Sequence, residues 1–168
     1  KNKIVVDPAQ LSLFDAIVTI ADTAKITKDG AVVKNFSLKN SYICANLVVG
    51  SIAGKPRGTF ENIYSDAIVE STGQFAGGLF GSLETGEGQT TTITNCWFDG
   101  SVHSSVGNAG GIIGYVKAET SKNNILSNCL VTGTVSSNGR YVGGLCGQIC
   151  NGTPMLFEKC LADAALSG

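Results

Sequence analysis

Residues 93–114 read ITNCWFDGSVHSSVGNAGGIIG, and residues 126–147 read LSNCLVTGTVSSNGRYVGGLCG. The second stretch repeats the first 33 residues later, with Asn-Cys at its front and Gly-Gly-hydrophobic-x-Gly at its back. The closing phrase or a near variant occurs four times, at 50–54, 77–81, 110–114 and 143–147. Asn35, Asn62, Asn95 and Asn128 each stand 15 residues before its opening glycine. One structural unit has been copied along the chain, so the fold follows from what a single copy prefers.

Counted from the asparagine, positions +1, +3, +5 and +7 hold Cys96, Phe98, Gly100 and Val102 in one copy and Cys129, Val131, Gly133 and Val135 in the next. A last copy keeps the pattern with Cys160, Ala162, Ala164 and Leu166. Alternation with period two predicts a strand with one buried face. Positions +2 and +4 are more polar and predict the outer face: Tyr64 and Asp66, Trp97 and Asp99, Leu130 and Thr132, Leu161 and Asp163. A period of 33 also suits helical ankyrin-type repeats, but three of the four copies carry glycine at three of five positions in the closing phrase, and the first at two. Glycine costs about 1 kcal/mol inside a helix. Stacked β-rungs use the same residues well. With like positions about 4.8 Å apart, Ile63, Cys96, Cys129 and Cys160 would form one inward file, and Ile52, Leu79, Ile112 and Leu145 another.

The asparagines fall where inward alternation breaks, which marks a corner. Asn tolerates left-handed backbone and can bond its amide to the next rung. Lys159 replaces it in the last copy and ends that ladder. The glycine pairs Gly77 and Gly78, Gly110 and Gly111, and Gly143 and Gly144 mark tight turns or walls too close for a side chain. No helix pattern follows them, which argues against a phosphate-binding loop. Length varies between the last glycine of one copy and the next corner: 8, 14, 14 and 12 residues. Polar segments 84–92 (ETGEGQTTT) and 117–124 are therefore expected to protrude from one edge.

The expected organisation is one structural domain, with residues 33–168 as repeats and residues 1–32 as a degenerate capping rung. Asp7, Pro8 and Gln10 there read as a helix cap, first-turn proline and capping-box partner, and Leu13, Phe14 and Asp15 as a worn copy of the glycine phrase. An irregular first segment that covers an open strand edge is physically expected.

The composition is 43% hydrophobic and 15% charged over 168 residues, which suits a packed domain and excludes a disordered one. Formal net charge is -1 and Lys and Arg are scattered, so nucleic acid is not an expected partner. The longest apolar stretches, such as 16–21, fall far short of the roughly 20 residues that cross a bilayer, so no membrane insertion is expected. The opening residues do not read as a signal peptide, and the expectation is of a piece of a longer protein. The six cysteines provide one CxxxC, Cys146 with Cys150, and there is one histidine, His103. Structural zinc needs a second close ligand pair, so neither a metal nor a cofactor is expected.

These phrases resemble the GLUG motif family, whose repeats run from an Asn-Cys strand to Gly-Gly-Leu-x-Gly. The resemblance spans about residues 33–168, best at AGGLFG (76–81), AGGIIG (109–114) and VGGLCG (142–147), each preceded by NIY, NCW or NCL. VGSIAG at 49–54 and Lys159 depart from the pattern. The resemblance implies a right-handed parallel β-helix-like solenoid, here of about five rungs, in secreted or cell-surface bacterial proteins. It carries over no catalytic residue.

Function is less legible. Cys96, Cys129 and Cys160 read as buried small hydrophobes, with adjacent-rung disulfides as the alternative. Cys146 and Cys150 could bridge. Tyr64 and Trp97 beside Asp66 and Asp99 suit a sugar ring, since aromatic faces stack on it and carboxylates accept its hydroxyls; a face packed on a neighbouring domain is the competing reading. Paired carboxylates also raise glycoside cleavage, but no basic residue shares their positions and His103 has no motif-placed Ser or Cys partner. The reading is a non-catalytic spacer or adhesion module of a bacterial surface protein, extracellular, whose partners are neighbouring domains and host or bacterial glycans or surface proteins. A glycan-binding module is second and a polysaccharide-cleaving enzyme third.

Overall fold

The computed structural model describes residues 17–19, 30–86, 88–118 and 124–168. The helix-cap reading of Asp7, Pro8 and Gln10 and the worn repeat at Leu13 to Asp15 lie outside these residues. Among the described residues all regular structure is β, and every strand pairing is parallel. The chain is a β-solenoid whose coils stack into four walls.

The first wall holds the strands on both sides of the asparagine, with Gly58–Ser65 running through the corner that Thr91–Thr94 and Trp97–Phe98 divide between them. The second wall stacks Ile17–Thr19, Tyr42–Ala45, Ile68–Ser71, Ser101–Ser104, Thr134–Ser137 and Ala165–Ser167. The third stacks Val48–Gly50, Phe75–Gly77, Asn108–Gly110 and Tyr141–Gly143, and the fourth Phe80–Thr85, Ile113–Ala118 and Cys146–Ile149. Trp97 pairs with Tyr64 below and Leu130 above, so equal positions of successive copies meet in vertical files.

The core is built from these files. Phe60, Ile93 and Leu126 lie before the asparagine corner, Ile63, Cys96 and Cys129 after it, Val69, Val102 and Val135 in the second wall, and Leu79 and Ile112 beside the glycine phrase, all buried. Leu145 and Ile52 pack half-buried against that core. Phe60 meets Phe80 of the same coil edge-on across it, with ring centroids 4.7 Å apart. Burying each large side chain contributes roughly 1.5–3 kcal/mol before ordering entropy is subtracted. In the last coil the equivalent Phe157 and Leu166 are 39% and 52% exposed, because no further coil covers them here.

Three expectations change. The alternating segment after each asparagine is two short strands in two walls: Trp97–Phe98 ends, the chain bends at Asp99 and Gly100, and Ser101–Ser104 begins. Phe98 and Val102 both stay inside because the two-residue bend preserves the phase. Segments 84–92 and 117–124 do not protrude as wholes. Glu84 and Thr85 end one strand, Thr91 and Thr92 begin the next, and Lys117 lies in Ile113–Ala118. Asn124 is fully buried, accepting from the Thr91 backbone N–H (2.8 Å) and donating to Thr85 Oγ1 (3.2 Å). Lastly, strand Ala31–Leu38 starts two residues inside the segment read as a cap.

The first coil hides two compensating steps. Leu38 pairs with Ser65 but Tyr42 pairs with Ile68, so the first coil has one extra residue at that bend. Asn40, with φ 49°, takes up the extra residue in left-handed backbone. Val48 pairs with Phe75, so the next bend is one residue shorter and the constant 15-residue spacing to Gly50 is restored.

Candidate functional site

The outer face of the first wall carries the side chains that sequence reading singled out. Beyond the asparagine corner, Tyr64, Trp97, Leu130 and Leu161 form one outward file, paired rung to rung. The adjoining bend places Asp66, Asp99, Thr132 and Asp163 beside it. Glycine fixes that bend: a Cβ at Gly100 would lie 2.0 Å from the Ala67 carbonyl oxygen, and one at Gly133 1.8 Å from that of Gly100.

Tyr64 and Trp97 meet edge to face, with ring centroids 5.0 Å apart and planes at 69°. Trp97 is 41% exposed. Its indole N–H donates to Thr132 Oγ1 at 2.9 Å, and the Thr132 hydroxyl donates to Asp99 Oδ1. Asp66 Oδ1 accepts the backbone N–H of Asn40 at 2.7 Å. The Lys39 ammonium stands 5.5 Å from the centre of the Tyr64 ring. Burial raises the Tyr64 hydroxyl pKa, and the negative charges of Asp66 and Asp99 raise it further. The rings are thus held by neighbours on each side, and each carboxylate already spends one oxygen on the protein's own donors.

The corner residues serve the scaffold. Asn35, Asn62, Asn95, Asn128 and Lys159 all have φ between 51° and 60°. Asn62 Nδ2 donates to Asn35 Oδ1 (2.8 Å) and Asn95 Nδ2 to Asn62 Oδ1 (3.2 Å). At the glycine corner a Cβ on Gly77, Gly110 or Gly143 would lie 1.8–2.0 Å from the carbonyl oxygen three residues ahead. One on Gly78 or Gly111 would lie 2.1 Å from the carbonyl oxygen of the next coil, and 2.5 Å from Phe98 or Val131. At Gly144 the neighbour is Ala162 at 2.5 Å. All six cysteines are free, including Cys146 and Cys150. The Cys96, Cys129 and Cys160 thiols donate to backbone carbonyls, Cys96 to Thr94 and Phe60, Cys129 to Ser127 and Ile93, and Cys160 to Glu158 and Leu126. Cys150 Sγ sits 2.9 Å from the Tyr115 hydroxyl, and burial pushes the Cys146 thiol up to about 12.

No protein-family model and no curated protein matches this sequence. Among solved structures, the chain is similar to a "putative immunoglobulin A1 protease from Bacteroides ovatus" at 26% identity and a TM-score of 0.67. The match covers 88% of this chain and 47% of that one, so the chain spans about half the length of the protein it resembles. The similarity supports a β-solenoid of the kind found in bacterial surface and secreted repeat proteins.

Sequence reading missed two further files. On the second wall Cys44, Glu70, His103 and Ser136 face outward on successive rungs. The Tyr42 hydroxyl bonds Glu70, and that bond is the main cause pushing its pKa up to about 12. His103 Nδ1 lies 2.9 Å from Ser136 Oγ. The second file is buried: Ser71, Ser104 and Ser137 each accept a turn glycine N–H and donate to a backbone carbonyl. A serine two or three residues before a glycine in three copies was the available signal. Among the described residues no three His, Cys, Asp or Glu side chains converge as a metal-binding group.

Proposed function

We propose that this chain is a non-catalytic structural and adhesion module of a bacterial secreted or cell-surface protein, a spacer or interaction domain set between neighbouring domains. The observation that carries the reading is the continuity of the core: buried side chains run without interruption from Ile43 in the first coil to Val135 in the fourth. A stack of this kind fixes distance, adding about 4.8 Å per coil, and each coil depends on its neighbours for stability. The GLUG resemblance and the similarity to part of the B. ovatus protein support an extracellular bacterial setting. Asp66 and Asp99, the one carboxylate pair considered for glycoside cleavage, are tied to Asn40 and Thr132.

Small-angle scattering should give an elongated particle. Incubation with pectins, mucins, milk glycans and immunoglobulin A1 should release neither reducing ends nor peptide fragments. Turnover of any of them, lost on purification away from the chain's own elution peak, would leave the reading intact; turnover that tracks the peak overturns it.

A second reading is a glycan-binding module built on Tyr64, Trp97, Asp66 and Asp99. The exposed Trp97 ring, locked in place by Thr132, favours it, because an immobilised aromatic face loses little entropy on stacking. A glycan array of the wild-type protein beside Trp97→Ala tests it: no binding by either removes it.

A further inference from the structure

The polar capacity around the Tyr64 and Trp97 rings is one-sided. The donors there are already used: the Trp97 indole N–H goes to Thr132, the Thr132 hydroxyl to Asp99, the Asn40 backbone N–H to Asp66, and the Tyr64 hydroxyl also lies against Asp66. What remains are acceptors, because an ionised carboxylate has two oxygens and Asp66 and Asp99 engage Asn40 and Thr132 through Oδ1. Both carboxylates act electrostatically on the Tyr64 hydroxyl, so their charge reaches the ring platform itself. The Lys39 cation lies over the Tyr64 ring, which is one coil away from Trp97. A ligand seated on Trp97 thus meets a π face, negative charge and spare acceptors.

Such a surface selects against carboxylated and sulfated sugars, which would set anion against anion and leave acceptors facing acceptors. A neutral sugar satisfies the acceptors through hydroxyls alone. A sugar bearing an ammonium adds charge-assisted hydrogen bonds and a cation beside the indole face, both stronger than their neutral counterparts. We propose that the platform binds an amine-bearing saccharide, a hexosamine with its nitrogen unacetylated, in preference to neutral, N-acetylated or acidic glycans. The proposal rests on the glycan-binding reading and deepens it.

Trp97 is the single tryptophan of the chain, so its fluorescence reports on this site alone. The test is a fluorescence titration at physiological ionic strength with β-1,4-glucosamine oligosaccharide, its N-acetylated counterpart, a neutral cello-oligosaccharide and oligogalacturonate. The glucosamine oligomer is expected to bind at least about tenfold more tightly than the neutral and N-acetylated oligomers, the margin of one charge-assisted hydrogen bond. Oligogalacturonate should not bind. Isothermal calorimetry then tests three variants for which fluorescence is not required. Trp97→Ala should abolish binding, Asp99→Asn should erase the tenfold preference, and Lys39→Ala should leave it or increase it. Equal affinity for the neutral oligomer overturns the inference while glycan binding stands. Preference for oligogalacturonate, lost in Lys39→Ala, overturns it in favour of an anionic ligand. Binding by Trp97→Ala as tight as wild type removes the site, and no response to any oligomer removes the inference and the glycan-binding reading together.

Discussion

At Gly110 and Gly111 the chain turns because no side chain is there, whereas at Asn95 it turns because a particular side chain is. The glycine corner brings two walls into backbone contact, so that an added Cβ at Gly110 would meet the Ile113 carbonyl oxygen at 2.0 Å. The asparagine corner is open to solvent, holds left-handed backbone at φ 53°, and hands an amide hydrogen bond from coil to coil. Asn124, at the start of strand Asn124–Ser127, also uses an amide but buries it completely. The three differ in what replaces lost solvation: nothing is needed at the glycines, water serves the exposed ladder, and the buried amide must find every partner inside the protein.

That difference ranks the corners by fragility. Gly111→Val should be the most damaging change, since both the Gly144 carbonyl and the Val131 side chain occupy the space; a loss of about 3 kcal/mol or more is expected by denaturant titration. An unchanged midpoint would show that the walls are not in contact. Asn124→Ala should cost about 2–3 kcal/mol by stranding the Thr91 N–H and the Thr85 hydroxyl. Deletion of residues 90–92, which looks harmless in the sequence, should be as severe, because Thr91 is buried. Asn95 separates the two parts of its own role. Asn95→Ala loses both the left-handed preference and the ladder bond and should cost about 1.5–2 kcal/mol, whereas Asn95→Gly loses only the ladder and should cost about half as much. Equal losses would mean the ladder contributes everything. The smallest effect is a gain: Lys159 has φ 51° without an amide, and Lys159→Asn should raise stability by about 0.5 kcal/mol, read as a rise in melting temperature.

Much of this was legible because repetition turns a weak local signal into a strong one. The inward cysteine file, the glycine phrase and the parallel stacking all followed from the 33-residue period. The bend at Asp99 and Gly100 was not legible, because a two-residue bend keeps odd positions inside and imitates one straight strand. Asn124 looked like loop because an asparagine in a polar run signals exposure unless its partners, Thr85 and Thr91, are known. At the ring platform, Tyr64 and Trp97 were readable as outward neighbours. The latch through Thr132 was not, since it joins residues 35 positions apart whose side-chain directions only the stacked coils define.

The compensating bends of the first coil carry one more lesson. Were the bend near Asn40 as short as in the later coils, the unchanged sequence would turn Tyr42 and Cys44 inward and Ile43 outward; with the extra step, Ile43 is buried and Tyr42 reaches Glu70. The stretch from the asparagine to the glycine corner thus conserves its 15-residue length and not the position of its vertices. Removing one residue at a vertex would not merely shorten the loop there; it would invert an entire panel of the prism, unless the following vertex gave back the missing step.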